Sequence, residues 1–225
     1  MIRIVLLTAL VLLTSACNRN TYTWNQRMTV TVETLDGIIS GSSVVEVTAR
    51  YYNPGCGLAG DIEVNYSYRS EAVAVEVLPG QWLFALIGNL AGLMYTASPD
   101  QFGAIPRHDR GRWLAATPRQ TEAVELADAL RPRLVTFADI TVPASVEAVD
   151  ADNLAATFGE DVRLVEVTLE VTRDEASMSN IDTILLWRCD YLNPCRRLDG
   201  RSGPISGNSL AERLGPGNFS LAECS

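Results

Sequence analysis

Lysine is missing from all 225 residues, histidine occurs once, at His108, and every one of the 18 basic side chains is an arginine. Without lysine a Ser–Lys dyad is excluded, and a single imidazole excludes paired-histidine metal motifs such as H-E-x-x-H. Any Ser-His-Asp or Cys-His arrangement must use His108, in "IPRHDRGRW" beside Asp109. No serine stands in G-x-S-x-G, since "GPISG" and "GIISG" place Ser206 and Ser40 one position late. Long apolar runs are missing too. The two candidates, Ile4 to Leu13 and Trp82 to Ala97, fall short of the roughly 20 residues that span a bilayer. Gly88, Asn89 and Gly92 interrupt the second, which reads as a core strand followed by a loop. Positive charge is also scarce. A formal net charge of −9 argues against nucleic acid as a partner, because phosphate binding needs a basic patch. It disfavours docking on anionic headgroups as well. "DADN", Asp150 to Asn153, lacks the central glycine and distal glutamate of a calcium loop and reads instead as helix capping by Asp152. No metal or cofactor is implied.

What is present begins at the N-terminus. "MIRIVLLTALVLLTSAC" has Arg3 as a short positive region, then an apolar stretch, then small residues, the pattern of a secretory leader. Its last four residues, Thr14-Ser15-Ala16-Cys17, resemble the lipobox of bacterial lipoproteins, with threonine where leucine is usual. The resemblance implies acylation of the Cys17 thiol, cleavage after Ala16, and an anchor to the membrane through lipid alone. By resemblance to enteric lipoproteins, Asn18 rather than aspartate after the cysteine implies sorting to the outer membrane, on its periplasmic face; the inner membrane is the alternative.

Cysteine arithmetic agrees with that reading. Five cysteines leave one odd thiol in an oxidising compartment. Assigning Cys17 to lipid leaves Cys56, Cys189, Cys195 and Cys224, an even set with no CxxC knuckle, for which disulfides are expected rather than zinc. Three pairings are open. The short "DYLNP" loop makes a Cys189–Cys195 encounter entropically cheap, which favours that bond together with Cys56–Cys224.

The mature chain is 225 − 16 = 209 residues, enough to bury a substantial core, and 47% apolar with 20% charged residues is the composition of a folded domain. Residues 1–16 are read as the leader, 17–26 as a lipidated terminus and spacer, and 27–225 as a single domain. Met28, Val30 and Val32 alternate with polar neighbours, Asp36-Gly37 marks a turn, and Val45, Val47, Ala49 and Tyr51 repeat the alternation, predicting a hairpin. Gly41 to Ser43 is expected to form a bulge or kink. Val73, Val75 and Val77 with Pro79-Gly80 predict a second hairpin. "TPRQTEAVELADALRP" predicts a helix from Thr117 to Pro132, with Ala123, Leu126, Ala127 and Leu130 as its apolar stripe. "RLVTFADI" predicts a short strand. A short helix within 150–161 should end at Gly159. In "VRLVEVTLEVT", Val165, Val167, Leu169 and Val171 should face inward. The tail carries "IDTILLW" and the cysteine loop, and "GNSLAERLGPG" should add a last helical turn or two. Strands dominate, so the expected class is α+β with a mainly antiparallel sheet.

"TWNQRMTVTVETLDGIISGSSVVEVTAR", "PRLVTFADITVPASVEAVDADNLAATFGEDVRL" and "LDGRSG" resemble segments of a family of uncharacterised proteobacterial proteins, across most of the mature chain. The resemblance implies a single unit and brings no activity, ligand or catalytic residue. Arg107, Arg110, Arg112 and Trp113, clustered in an acidic chain, form a candidate anion-binding loop for an envelope glycolipid or an acidic protein surface. The expected role is a non-enzymatic binding or envelope-assembly module in the periplasm, with an envelope protein or anionic glycolipid as partner. The alternative is a periplasmic hydrolase using carboxylates or His108.

Overall fold

The computed structural model describes residues 19–52, 64–88, 90, 92–103, 105–106, 109–192, 196–202, 205 and 207–224. Two antiparallel sheets carry the fold, with several short helices, giving the expected α+β class with β predominating. The first sheet has the order β3-β2-β1-β9-β6, formed by β1 (Arg19–Thr34), β2 (Gly37–Tyr52), β3 (Val64–Arg69), β6 (Val124–Glu125) and β9 (Arg163–Thr172). The second has the order β4-β5-β7-β8, formed by β4 (Val73–Leu78), β5 (Gln81–Ala85), β7 (Leu134–Phe137) and β8 (Val146–Ala148). Short helices α1 (Leu93–Ala97), α2 (Arg110–Ala116), α3 (Ala155–Phe158), α4 (Asn180–Ile184), α5 (Arg188–Leu192) and α6 (Leu210–Arg213) lie between and after the strands. No helix among the described residues is long and apolar enough to cross a membrane.

Both expected hairpins form. β1 and β2 pair without a register break from Arg19 opposite Tyr52 to Thr34 opposite Gly37, leaving Leu35-Asp36 as a two-residue loop. Gly37 then takes φ 124°, a conformation that side chains with a Cβ resist. β1 already begins at Arg19, so it takes in residues 19–26 that were expected to form the spacer, and Trp24 and Gln26 are buried there. The continuous register also removes the bulge expected at Gly41 to Ser43. Gly41 answers a different need: a Cβ there would sit 2.2 Å from the Ala74 carbonyl oxygen, so the glycine lets β4 cross close over β2.

The second sheet is buried on both faces, which explains why its strands read as continuous apolar runs. Val73, Val75, Val77, Leu83 and Ala85 face the first sheet and pack with Val30, Val32, Val47 and Val167. Ala74, Trp82, Phe84, Val135 and Phe137 face the other way, into a second core closed by Ile181, Leu185, Trp187 and Phe219 of the C-terminal segment. Phe219 meets Phe84 edge-on at 5.7 Å, a favoured aromatic geometry. The chain is thus three layers deep. The apolar stretch from Trp82 is the inner strand β5 followed later by α1, as a core segment requires.

Three expectations are corrected. The helix expected over Thr117 to Pro132 does not form. A 3-10 turn at Thr117–Arg119, the strand β6 and a 3-10 turn at Asp128–Leu130 stand there instead. Of the predicted stripe only Leu126 is fully buried, while Ala123 and Ala127 are exposed, so a helix would have little to pack. As an edge strand the segment satisfies its backbone against β9, with Leu126 N–H donating to the Val167 carbonyl at 2.8 Å. Second, Val165 faces out. Thr31 pairs with Glu166 and Val32 with Leu164, so Val165 is the extra residue of a β-bulge and the alternation shifts by one at that point. Val167, Leu169 and Val171 are buried as expected. Third, α3 ends at Gly159 as expected, but Asp152 does not cap it. The Asp150 carboxylate instead accepts the Asp152 N–H at 3.0 Å, and Leu154 occupies the cap position.

Candidate functional site

Arg107, His108 and the thiols of Cys17, Cys56 and Cys195 lie outside the described residues. The rest of the candidate anion loop is a helix. Asp109 caps α2 by accepting the Arg112 N–H at 3.2 Å, and the same carboxylate lies 3.8 Å from the Arg112 guanidinium. Arg110, exposed on α2, acts electrostatically on Tyr66, whose hydroxyl burial pushes up and whose neighbouring cation pulls back. Trp113 points the other way. It is buried, stacked on Tyr95 at 4.8 Å and edge-on to Phe102 at 6.4 Å. The tryptophan therefore belongs to the core and cannot face a ligand beside the two arginines.

Cys189 bonds to Cys224, which overturns the favoured Cys189–Cys195 pairing. Closing the shorter loop would be cheaper by only roughly 1.6 kcal/mol of chain entropy. The tail's own contacts outweigh that. Phe219 is fully buried, and Glu71 and Ser220 form a bridge that sets the tail beside the strands. Arg188, fully buried next to the disulfide, completes the clasp. Its guanidinium pairs with both carboxylate oxygens of Asp182, at 2.8 Å for Oδ2, and donates to the carbonyls of Ala222 at 3.2 Å and Ser220 at 3.4 Å.

Across this clasp lies a buried acid that inspection of the sequence missed. Glu71, 3% exposed, accepts the Asn180 and Ile181 N–H groups at 3.1 and 3.3 Å. Burial raises its carboxyl above the usual range, and the two amide bonds only partly offset that. A sequence signal existed. Glu71 shares the phase of Val73, Val75 and Val77, so extending that alternation backward puts an acid on the inward face. The carboxyl edges a cleft of about 290 Å³ lined by Ser42, Ala74, Trp82, Thr183 and Ile184. The Thr183 hydroxyl is already committed to the Asn180 carbonyl at 2.7 Å, so the cleft pairs an acid with apolar walls and no activated nucleophile. Such walls suit a side chain or small apolar group.

A second cleft, about 300 Å³, has Met28, Leu90, Leu93 and Leu130 as its floor and Arg131 and Arg133 at its rim. Arg131 is neutralised by Asp128 at 2.9 Å and donates to the Leu126 carbonyl. Arg133 is exposed and its guanidinium meets no acid among the described residues. That arrangement can hold an apolar body with one anionic group. No cluster of three metal-ligating side chains occurs among the described residues. No known protein family, curated protein or solved structure matches the chain.

Proposed function

We propose that the chain is a lipoprotein acylated on Cys17, held on the periplasmic face of the outer membrane, and that it works there as a binding or envelope-assembly module. The observation that carries this reading is the tetrad Thr14-Ser15-Ala16-Cys17 behind an apolar leader. Only Asn18 stands between Cys17 and the start of β1 at Arg19, so the anchor would hold the body close to the bilayer without a long tether. β1 then spans roughly 50 Å from its start to the hairpin tip at about 3.3 Å per residue. The disulfide between Cys189 and Cys224 is in keeping with an oxidising compartment. A binding role is favoured over a catalytic one because the described clefts offer shape and single charges. Glu71 is tied to two amides, and Arg133 stands at the rim of a cleft floored by Met28, Leu90, Leu93 and Leu130.

The test is Cys17→Ser in the producing cell. The variant is expected to accumulate with its leader uncut and to leave the membrane fraction. Normal cleavage with unchanged membrane partitioning would refute the reading.

A further inference from the structure

A buried cation lies against one sulfur of the disulfide. Arg188 Nη2 is 3.3 Å from Cys224 Sγ and 3.9 Å from Cys189 Sγ, and the arginine side chain is fully buried. Nη2 carries two of the five guanidinium N–H groups. One donates to Asp182 Oδ2 at 2.8 Å, which leaves the other to the Ala222 carbonyl at 3.2 Å and to Cys224 Sγ. A disulfide sulfur is a weak acceptor and draws little from that donor, whereas a thiolate is charged and draws far more. Asp182 offsets part of the positive charge, but its carboxylate is 31% exposed and is shared with water. The other acids beside the pair, Asp190 and Glu223, are exposed, and salt screens them. Cys189 and Cys224 are both half-buried, so a reagent can reach them without unfolding the chain.

We propose that Cys189–Cys224 is an exchangeable disulfide, opened in the folded chain by a dithiol, with Cys189 taking the attack and Cys224 leaving as a thiolate held by Arg188. A thiolate of the dithiol attacks Cys189 Sγ and forms a mixed disulfide there, and the electron pair of the broken S–S bond goes to Cys224 Sγ. The second thiol loses its proton to solvent and displaces Cys189, which leaves as a thiolate and takes up a proton. The dithiol ends as a disulfide, having supplied both electrons. The sulfur whose thiolate is better stabilised leaves faster, and the shorter contact to Arg188 makes that Cys224. An adjacent arginine lowers a thiol into the range where it ionises near neutral pH. Opening the bond leaves the contact in place, because the tail has holds of its own. Phe219 is fully buried, Ser220 bridges to Glu71, and the Leu221 N–H donates to the Ser70 carbonyl at 2.8 Å. The Cys224 thiolate thus stays at the site, placed to close the bond again. The inference goes beyond the binding reading and does not depend on the anchor.

The test is alkylation of the full chain with iodoacetamide, after reduction with dithiothreitol and its removal. Rates are read peptide by peptide, with fragmentation separating Cys189 from Cys195. Near pH 6.5 Cys224 is expected to react at least fivefold faster than Cys189. Concentrated urea, which parts Cys224 from Arg188, should bring the two rates within about twofold of each other. Arg188→Met should remove the advantage in the same way; where circular dichroism shows that this variant has lost its fold, the urea comparison on the unaltered chain decides alone. A second readout is the site of attack. Glutathione added to the oxidised chain and quenched early with acid should be found on Cys189 at least fivefold more than on Cys224. Equal rates in the folded chain, an advantage that persists in urea, or glutathione on Cys224 would each overturn the proposal and leave the bond as a structural staple only.

Discussion

Replacing Arg188 with methionine should loosen the C-terminal segment, and the cost can be worked from its partners. The side chain is fully buried, so the change removes an ion pair to Asp182 and two donations to the Ser220 and Ala222 carbonyls while keeping most of the apolar stem. Each orphaned tail carbonyl costs about 1 kcal/mol. Asp182 is 31% exposed and can rehydrate, so its share is nearer 1 kcal/mol than the 3–5 of a fully buried pair. The sum is about 3 kcal/mol. For a chain of this length it lowers the melting temperature by roughly 6–12 °C. Asp182→Asn should be at least as damaging, because it strands a buried guanidinium. The double variant should fall close to Arg188→Met alone, well short of the sum. The assay is urea unfolding of the four proteins with the disulfide intact, followed by tryptophan fluorescence, since Trp187 sits beside the clasp. A loss under about 1 kcal/mol for Arg188→Met, or simple additivity of the two singles, would refute a clasp centred on this residue.

Glu71→Gln should change how stability depends on pH. Burial raises the Glu71 carboxyl in the folded chain above its unfolded value, so the folded state holds a proton that the unfolded state releases. That group's contribution therefore favours folding as pH falls through its folded value toward the ordinary carboxylate range and opposes folding as pH rises above it. Glutamine keeps an acceptor for the Asn180 and Ile181 amides and removes the ionisation, so the variant should gain relative stability at pH 7 and lose that advantage near pH 4. Urea midpoints across that range check it, and a constant difference would contradict it. Gly41→Ala should cost roughly 2–3 kcal/mol, because the new Cβ meets the Ala74 carbonyl oxygen of β4 rather than a yielding side chain. Gly217→Ala, with open space around it, should stay within about 0.5 kcal/mol, and equal midpoints for the two variants would contradict the close crossing.

The hairpins were legible because their information is local. A face of Val30, Val32, Val45 and Val47, with the Asp36-Gly37 signal where the loop Leu35-Asp36 meets β2, specifies register and turn together. Where a partner strand decides, local pattern misled. Val165 continues a clean alternation in sequence, yet the bulge that turns it outward is a property of its pairing with Thr31 and Val32. The segment after Thr117 has a helical stripe, yet only Leu126 finds a core, and β9 offers its backbone a better arrangement than a helix with three exposed apolar positions or half-exposed ones. Trp113 shows the same limit. Beside three arginines it reads as surface, and only the distant Tyr95 and Phe102 make it core. Glu71 is the opposite case, visible in the phase of its strand but outweighed by the habit of reading an acid as solvated.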